Sequence, residues 1–107
     1  MLEIAPDRDV QTVITTFEVT PGTCDDLLDE LREAVANHIR HQRGFVAAAL
    51  HVNDARTRVA NYSQWRTRED FMAMLRGPDM RARHRRLHDL CRGFEPVMYE
   101  IADTFSK

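Results

Sequence analysis

The four glycines and four prolines of this 107-residue chain all read as element boundaries. Pro6, Pro21-Gly22, Gly44, Gly77-Pro78, Gly93 and Pro96 cut it into short patterned pieces, each long enough for one strand or one helix. Gln11 to Val19 is rich in Val, Ile, Thr and Phe, which suit a pleated, half-buried surface, so it reads as a first strand. Thr23 stands where a helix cap is needed, and Asp25 and Asp26 favour the positive end of a helix running to about Gln42. Phe45 to Val52 is a second strand, Asn53-Asp54-Ala55-Arg56 a polar hairpin turn, and Thr57 to Trp65 a third strand. Thr67-x-x-Asp70 opens a short helix to Arg76. Pro78 fits the first turn of another helix, to about Arg92, and Pro96 to Thr104 is a last strand.

The order is β-α-β-β-α-β, with the second helical unit split. Right-handed crossovers turn that order into a four-stranded antiparallel sheet with helices on one face, a ferredoxin-like α+β fold. The other face would show Ile14 and Tyr62 to water, and face-to-face packing of two sheets in a homodimer would cover it. The length fits one domain, residues 1–107, with its core within about residues 10–105. A net charge of −2 and a pI near 6.2 point to neither nucleic acid nor a membrane surface. No apolar run approaches the ~20 residues of a membrane span. Met1 to Val10 is acidic and short of apolar residues, unlike a signal peptide, so a cytoplasmic location is expected. Cys24 and Cys91 are too few for a disulfide framework and read as reduced packing residues.

The stretch richest in chemistry is Asn61-Tyr62-Ser63-Gln64-Trp65. On a strand, Val59, Asn61, Ser63 and Trp65 share a face, with Asn61 and Trp65 about 13 Å apart at ~3.3 Å per residue. An amide and an indole on the inner wall of a small sheet suit a pocket for a flat, polar, aromatic ligand. The plainer reading makes Trp65 core and Asn61 a backbone cap.

On the first helix the apolar stripe is Cys24, Leu27, Leu28, Leu31, Val35 and Ile39, and His38 falls inside it. On the last helix Met80, Leu87, Cys91 and Phe94 form the stripe, with His84 inside and His88 at its border. Strict alternation puts His51 on the face of Phe45, Ala47 and Ala49, and the small residues there leave room for a ligand if that face meets the helices. Each histidine is either a hydrogen-bonded core residue or an acid–base group. His38-x-x-His41 and His84-x-x-x-His88 have helical spacing for a metal but lack a third ligand at a familiar distance, so no metal is expected. Arg81, Arg83, Arg85 and Arg86 read as a solvated face balanced by the acids of the first helix. Met72, Met74 and Met80 read as adaptable lining of core or pocket.

Taken together, the chain resembles the antibiotic biosynthesis monooxygenase family. The likeness rests on Phe17-Glu18-Val19-x-Pro21-Gly22, Gly44-Phe45-Val46, Asn61-Tyr62-x-Gln64-Trp65, Phe71 and Pro96-Val97-Met98-Tyr99-Glu100. It implies a homodimeric α+β barrel with a pocket between sheet and helices in each subunit. Within the family the chain looks most like small anthrone and naphthacenone oxygenases, which insert oxygen from O₂ into phenolic rings without metal, haem or flavin. On that likeness Asn61 and Trp65 are catalytic. The deprotonation such chemistry needs makes His51 or His38 the better base candidate, with His84 third. Phe17, Phe45, Ala49, Phe71, Met72, Leu75 and His84 would bind the substrate. Some relatives use a first-strand Asn, where this chain reads Thr15-Thr16-Phe17. Haem-degrading relatives carry a His about ten residues beyond the Trp, where this chain has Leu75 and Arg76. The expected reaction is oxidation of an anthrone-like polyketide to a quinone with no cofactor. A cyclase or isomerase on the same fold, or a non-catalytic ligand-binding dimer, is the alternative.

Overall fold

The computed structural model describes residues 9–107. The boundary at Pro6 and most of the segment Met1 to Val10 therefore lie outside the described residues. Strand β1 (Gln11–Glu18) leads to helix α1 (Cys24–Asn37) and a single 3₁₀ turn (Ile39–His41). Strands β2 (Phe45–Val52) and β3 (Arg58–Trp65) form a hairpin. Helices α2 (Arg68–Arg76) and α3 (Pro78–Leu90) follow, and β4 (Gly93–Tyr99) closes the sheet. All pairings are antiparallel and the strand order is β2-β3-β1-β4. That is the expected ferredoxin-like arrangement. Among the described residues no helix is long and apolar enough to cross a membrane.

Three boundaries differ from expectation, each for a local reason. Helix α1 stops at Asn37, and His38 leaves helical geometry at φ −133°, ψ −63°. Thr23 makes no side-chain cap; its hydroxyl is tied to Thr20, whose carbonyl accepts from Cys24 N–H at 3.0 Å and starts the helix instead. β4 runs through Pro96 rather than starting there. Its place at the sheet edge makes a missing N–H tolerable. The Thr67 cap is as expected, its hydroxyl accepting from Asp70 N–H at 3.1 Å. In the hairpin turn Asn53 Oδ1 accepts from the backbone of both Thr57 and Arg58 at 2.9 Å, which holds Arg56 at φ +61°.

The helices cover one face of the sheet, and two apolar clusters fill the layer. One joins Phe17, Val19 and Val59 to Cys24, Leu27, Leu28 and Leu31 of α1 and Leu87 of α3. The other joins Val13 and Trp65 to Ala34, Ile39, Phe71, Met74 and Met80. The opposite face carries Ile14 paired with Tyr62 and with Val97. The arginines of α3 are partly balanced as expected: Arg83 pairs with Glu33 of α1, and Arg86 Nε lies 3.3 Å from Glu30.

Candidate active site

Between sheet and helices lies an enclosed cavity of about 50 Å³. Its floor is the inner face of the sheet, with Thr15 and Phe17 from β1, Asn61, Ser63 and Trp65 from β3, Phe45 and Ala48 from β2, and Phe94 and Pro96 from β4. Its roof is Leu31 and Ala34 of α1, Phe71, Met74 and Leu75 of α2, and Met80, His84 and Leu87 of α3. A larger open depression of about 750 Å³ lies on the outer side of the sheet near the β2–β3 hairpin. It is lined by exposed side chains such as His51, Arg58 and Glu95, so solvent has free access to it. The enclosed space, which excludes water, is the better setting for charge chemistry.

Asn61 stands opposite Thr15 in the middle of the floor. Its Oδ1 is buried without a hydrogen-bond partner. An amide oxygen left so costs free energy, and a ligand hydroxyl would relieve that cost. Trp65 is only 1% exposed. Its ring meets Phe45 edge-on at 5.5 Å and Phe71 at 5.7 Å between centroids. Its Nε1–H donates to Ser63 Oγ at 3.3 Å, and Ser63 Oγ donates in turn to the Val13 carbonyl at 3.3 Å. The indole N–H is thus already engaged inside the protein, which leaves stacking as the ring's way to meet a ligand. Neither Ser63 nor Thr15 was among the expected site residues. Both share the face of Asn61 and Trp65, so alternation alone could have found them.

Phe71 is set over Trp65 by the junction of β2 and α2. Gly44 takes φ +84°, and its carbonyl accepts from Arg66 N–H at 2.7 Å. Asp70 packs so closely there that a Cβ on Gly44 would lie 2.2 Å from Asp70 Oδ2.

The histidines sort differently from expectation. Phe45 pairs with Trp65 but Ala47 with Gln64, so a β-bulge at Val46 breaks the alternation of β2. Ala48 and Leu50 therefore face the helices, while Ala47, Ala49 and His51 turn to the outer face. His51 and Ala49 do not reach the cavity. His38 lies beyond the end of α1, and its Nδ1 is 3.5 Å from Asp79 at the start of α3 rather than in the cavity. His84 does line the cavity, where α3 keeps a regular helical stripe. Its ring meets Phe94 edge-on at 5.2 Å. Burial, and secondarily the neighbouring charge of His88, push its pKa below the ordinary 6.5. Of the other expected binding residues, Phe17, Phe45, Phe71 and Leu75 line the cavity, whereas Met72 packs against the core beside it. Among the described residues no three His, Cys, Asp or Glu side chains gather as a metal site would require.

Comparison with known proteins bears on the family and the fold. The profile described as "Antibiotic biosynthesis monooxygenase" matches residues 10–86. Tetracenomycin-F1 monooxygenase of Streptomyces glaucescens is 33% identical over 108 residues, spanning 98% of this chain and 93% of that protein. Among solved structures, SnoaB, a cofactor-independent oxygenase from Streptomyces nogalater, superposes with a TM-score of 0.79 at 20% identity, covering 94% of this chain and all of the other. The monooxygenase ActVA-Orf6 of Streptomyces coelicolor, solved with nanaomycin D, gives 0.75 at 24% identity, covering 91% of each chain. At those identities the two structures speak for the fold.

Proposed function

The chain belongs to the antibiotic biosynthesis monooxygenase family, and from that premise we propose that it is a cofactor-independent monooxygenase that oxidises an anthrone-like phenolic polyketide to a quinone with O₂. The observation that carries this reading is the unpartnered Asn61 Oδ1 at the floor of a closed, aromatic-walled cavity. Loss of a proton from the ring methylene makes an electron-rich enolate. The enolate passes one electron to O₂, the radicals combine to a peroxide, and loss of water leaves the carbonyl. Such a sequence asks the protein to hold the rings, exclude water and stabilise an oxyanion rather than to supply a redox group. The Asn61 amide, turned to present its NH₂, donates to the enolate oxygen. Trp65, pinned by Ser63, acts as a rigid stacking wall with Phe45 and Phe71.

A cavity of about 50 Å³ holds little more than water, and ligand pockets commonly need roughly 300–1,000 Å³. The substrate enters by displacing the flexible side chains of the roof, Met74, Met80 and Leu75. The outer sheet face, with Ile14, Tyr62 and Val97 and a Tyr99 that is 47% exposed, packs against a second copy.

The test is oxygen uptake with dithranol as the anthrone, with the quinone product followed by absorbance. Wild-type enzyme is expected to consume one O₂ per quinone formed with no added metal or flavin. Asn61→Ala is expected to lose ~10²–10³ in turnover while melting normally. Cyclised or isomerised product without oxygen uptake would replace this reading.

A further inference from the structure

We infer that His84 is the general base of this site, taking the proton from the substrate carbon and returning it to the peroxide oxygen. The inference rests on the oxygenase reading above. Among the described residues that line the cavity, His84 is the only one with a titratable side chain. The rest of the wall is apolar apart from Thr15, Asn61 and Ser63, none of which accepts a proton near neutrality. His51 and His38, which alternation and helical spacing favour, point elsewhere.

The surroundings of His84 keep it neutral and ready to accept. Phe94 of β4 packs against its ring, and Leu31 and Ala34 of α1 share the cavity wall. The acids of α1 nearest this helix, Glu30 and Glu33, are engaged by Arg86 and Arg83. Glu95 of β4 is exposed on the outer side of the sheet. One turn along α3 stands His88, whose ring also rests on Phe94 at 4.7 Å. Burial first, and a positive His88 second, make protonation of His84 harder than in water. The imidazole is therefore the free base at neutral pH.

The atoms balance without a net proton. His84 removes one methylene proton as the C–H bond breaks, leaving the enolate. Electron transfer to O₂ and recombination form a C–O bond and a peroxide anion, which His84 reprotonates. His84 then takes the second C–H proton as the O–O bond breaks, and the departing hydroxide takes that proton back from His84. Methylene and O₂ become carbonyl and water, with O₂ reduced and carbon oxidised.

The two stages can be measured separately. Under nitrogen, wild-type enzyme mixed with dithranol is expected to develop the coloured anion. The amount formed should fall as pH is lowered through an inflection below the ordinary histidine value, scanned over roughly pH 5 to 8. His84→Gln is expected to abolish that inflection and lower aerobic kcat/KM by roughly 10²–10⁴. His88→Gln, on the solvent side, is expected to move the inflection upward, which a merely structural His84 would not permit. Asn61→Ala should lower the rate yet keep the inflection. If His84→Gln forms the anion as wild type does, with the same inflection, His84 is not the base. If wild type forms the anion but consumes no oxygen, His84 stands as a base and the oxygenase reading falls.

Discussion

Replacing Ser63 by alanine removes one oxygen from the middle of the relay that runs from Trp65 Nε1 through Ser63 Oγ to the Val13 carbonyl. Trp65 is 1% exposed, so water cannot take the place of that oxygen. A buried donor left unpaired costs about 1–3 kcal/mol, and the lost hydroxyl-to-carbonyl bond adds a fraction of that. The expected loss is about 1–3 kcal/mol, or roughly 5–15 °C in Tm for a domain of this size. Trp65 is the chain's one tryptophan, so its fluorescence reports the indole environment without interference. Urea unfolding followed by that emission where Trp65 is present, and by far-UV circular dichroism in both backgrounds, at fixed protein concentration because association adds to apparent stability, gives the free energy. The deciding measurement is the double-mutant cycle. With Trp65→Phe there is no indole N–H to strand, and Ser63→Ala should then cost markedly less. Equal costs in both backgrounds, or a loss below about 0.5 kcal/mol in the parent, would refute the relay as the device that fixes the indole.

Three further perturbations follow from the same structure. Gly44→Ala meets both a positive φ and the Asp70 carboxylate, and should destabilise by about 2–4 kcal/mol in a urea titration. Thr67→Ala removes the α2 cap and should cost about 1 kcal/mol, read as a lower Tm with the dithranol rate preserved. The hydrogen bond from Arg83 holds the Glu33 carboxyl below its ordinary 4.5. A depressed carboxyl stabilises the fold above its unfolded value, and that support is lost as pH falls through the folded value. Arg83→Met should therefore flatten the acid limb of a Tm-against-pH curve, and an unchanged limb would show the pair to be idle.

What the sequence revealed depended on whether each element stayed regular. The strand and helix order was legible because hydrophobic pattern and Gly/Pro punctuation agreed. Asn61 and Trp65 could be placed together because β3 has no interruption between them, and His84 could be placed inward because α3 keeps its period from Met80 to Leu87. His38 was misplaced because α1 ends just before it, and a periodic stripe carries no mark of where a helix stops. His51 and Ala49 were misplaced because a bulge at Val46 shifts every later side chain of β2 to the other face. Nothing in Phe45-Val46-Ala47-Ala48-Ala49 announces that bulge, since several small residues in a row fit either face.

That bulge also means β2 holds two faces in a single text, separated by one letter. Loss of the Val46 codon alone would take that letter out and leave the faces as they are, because Ala47 already pairs with Gln64 beside the Phe45–Trp65 pair. Ala48 and Leu50 would stay inward, and Ala47, Ala49 and His51 outward. The start of β2 is therefore open to shortening by one residue with the cavity lining unchanged and the hairpin turn at Asn53 intact.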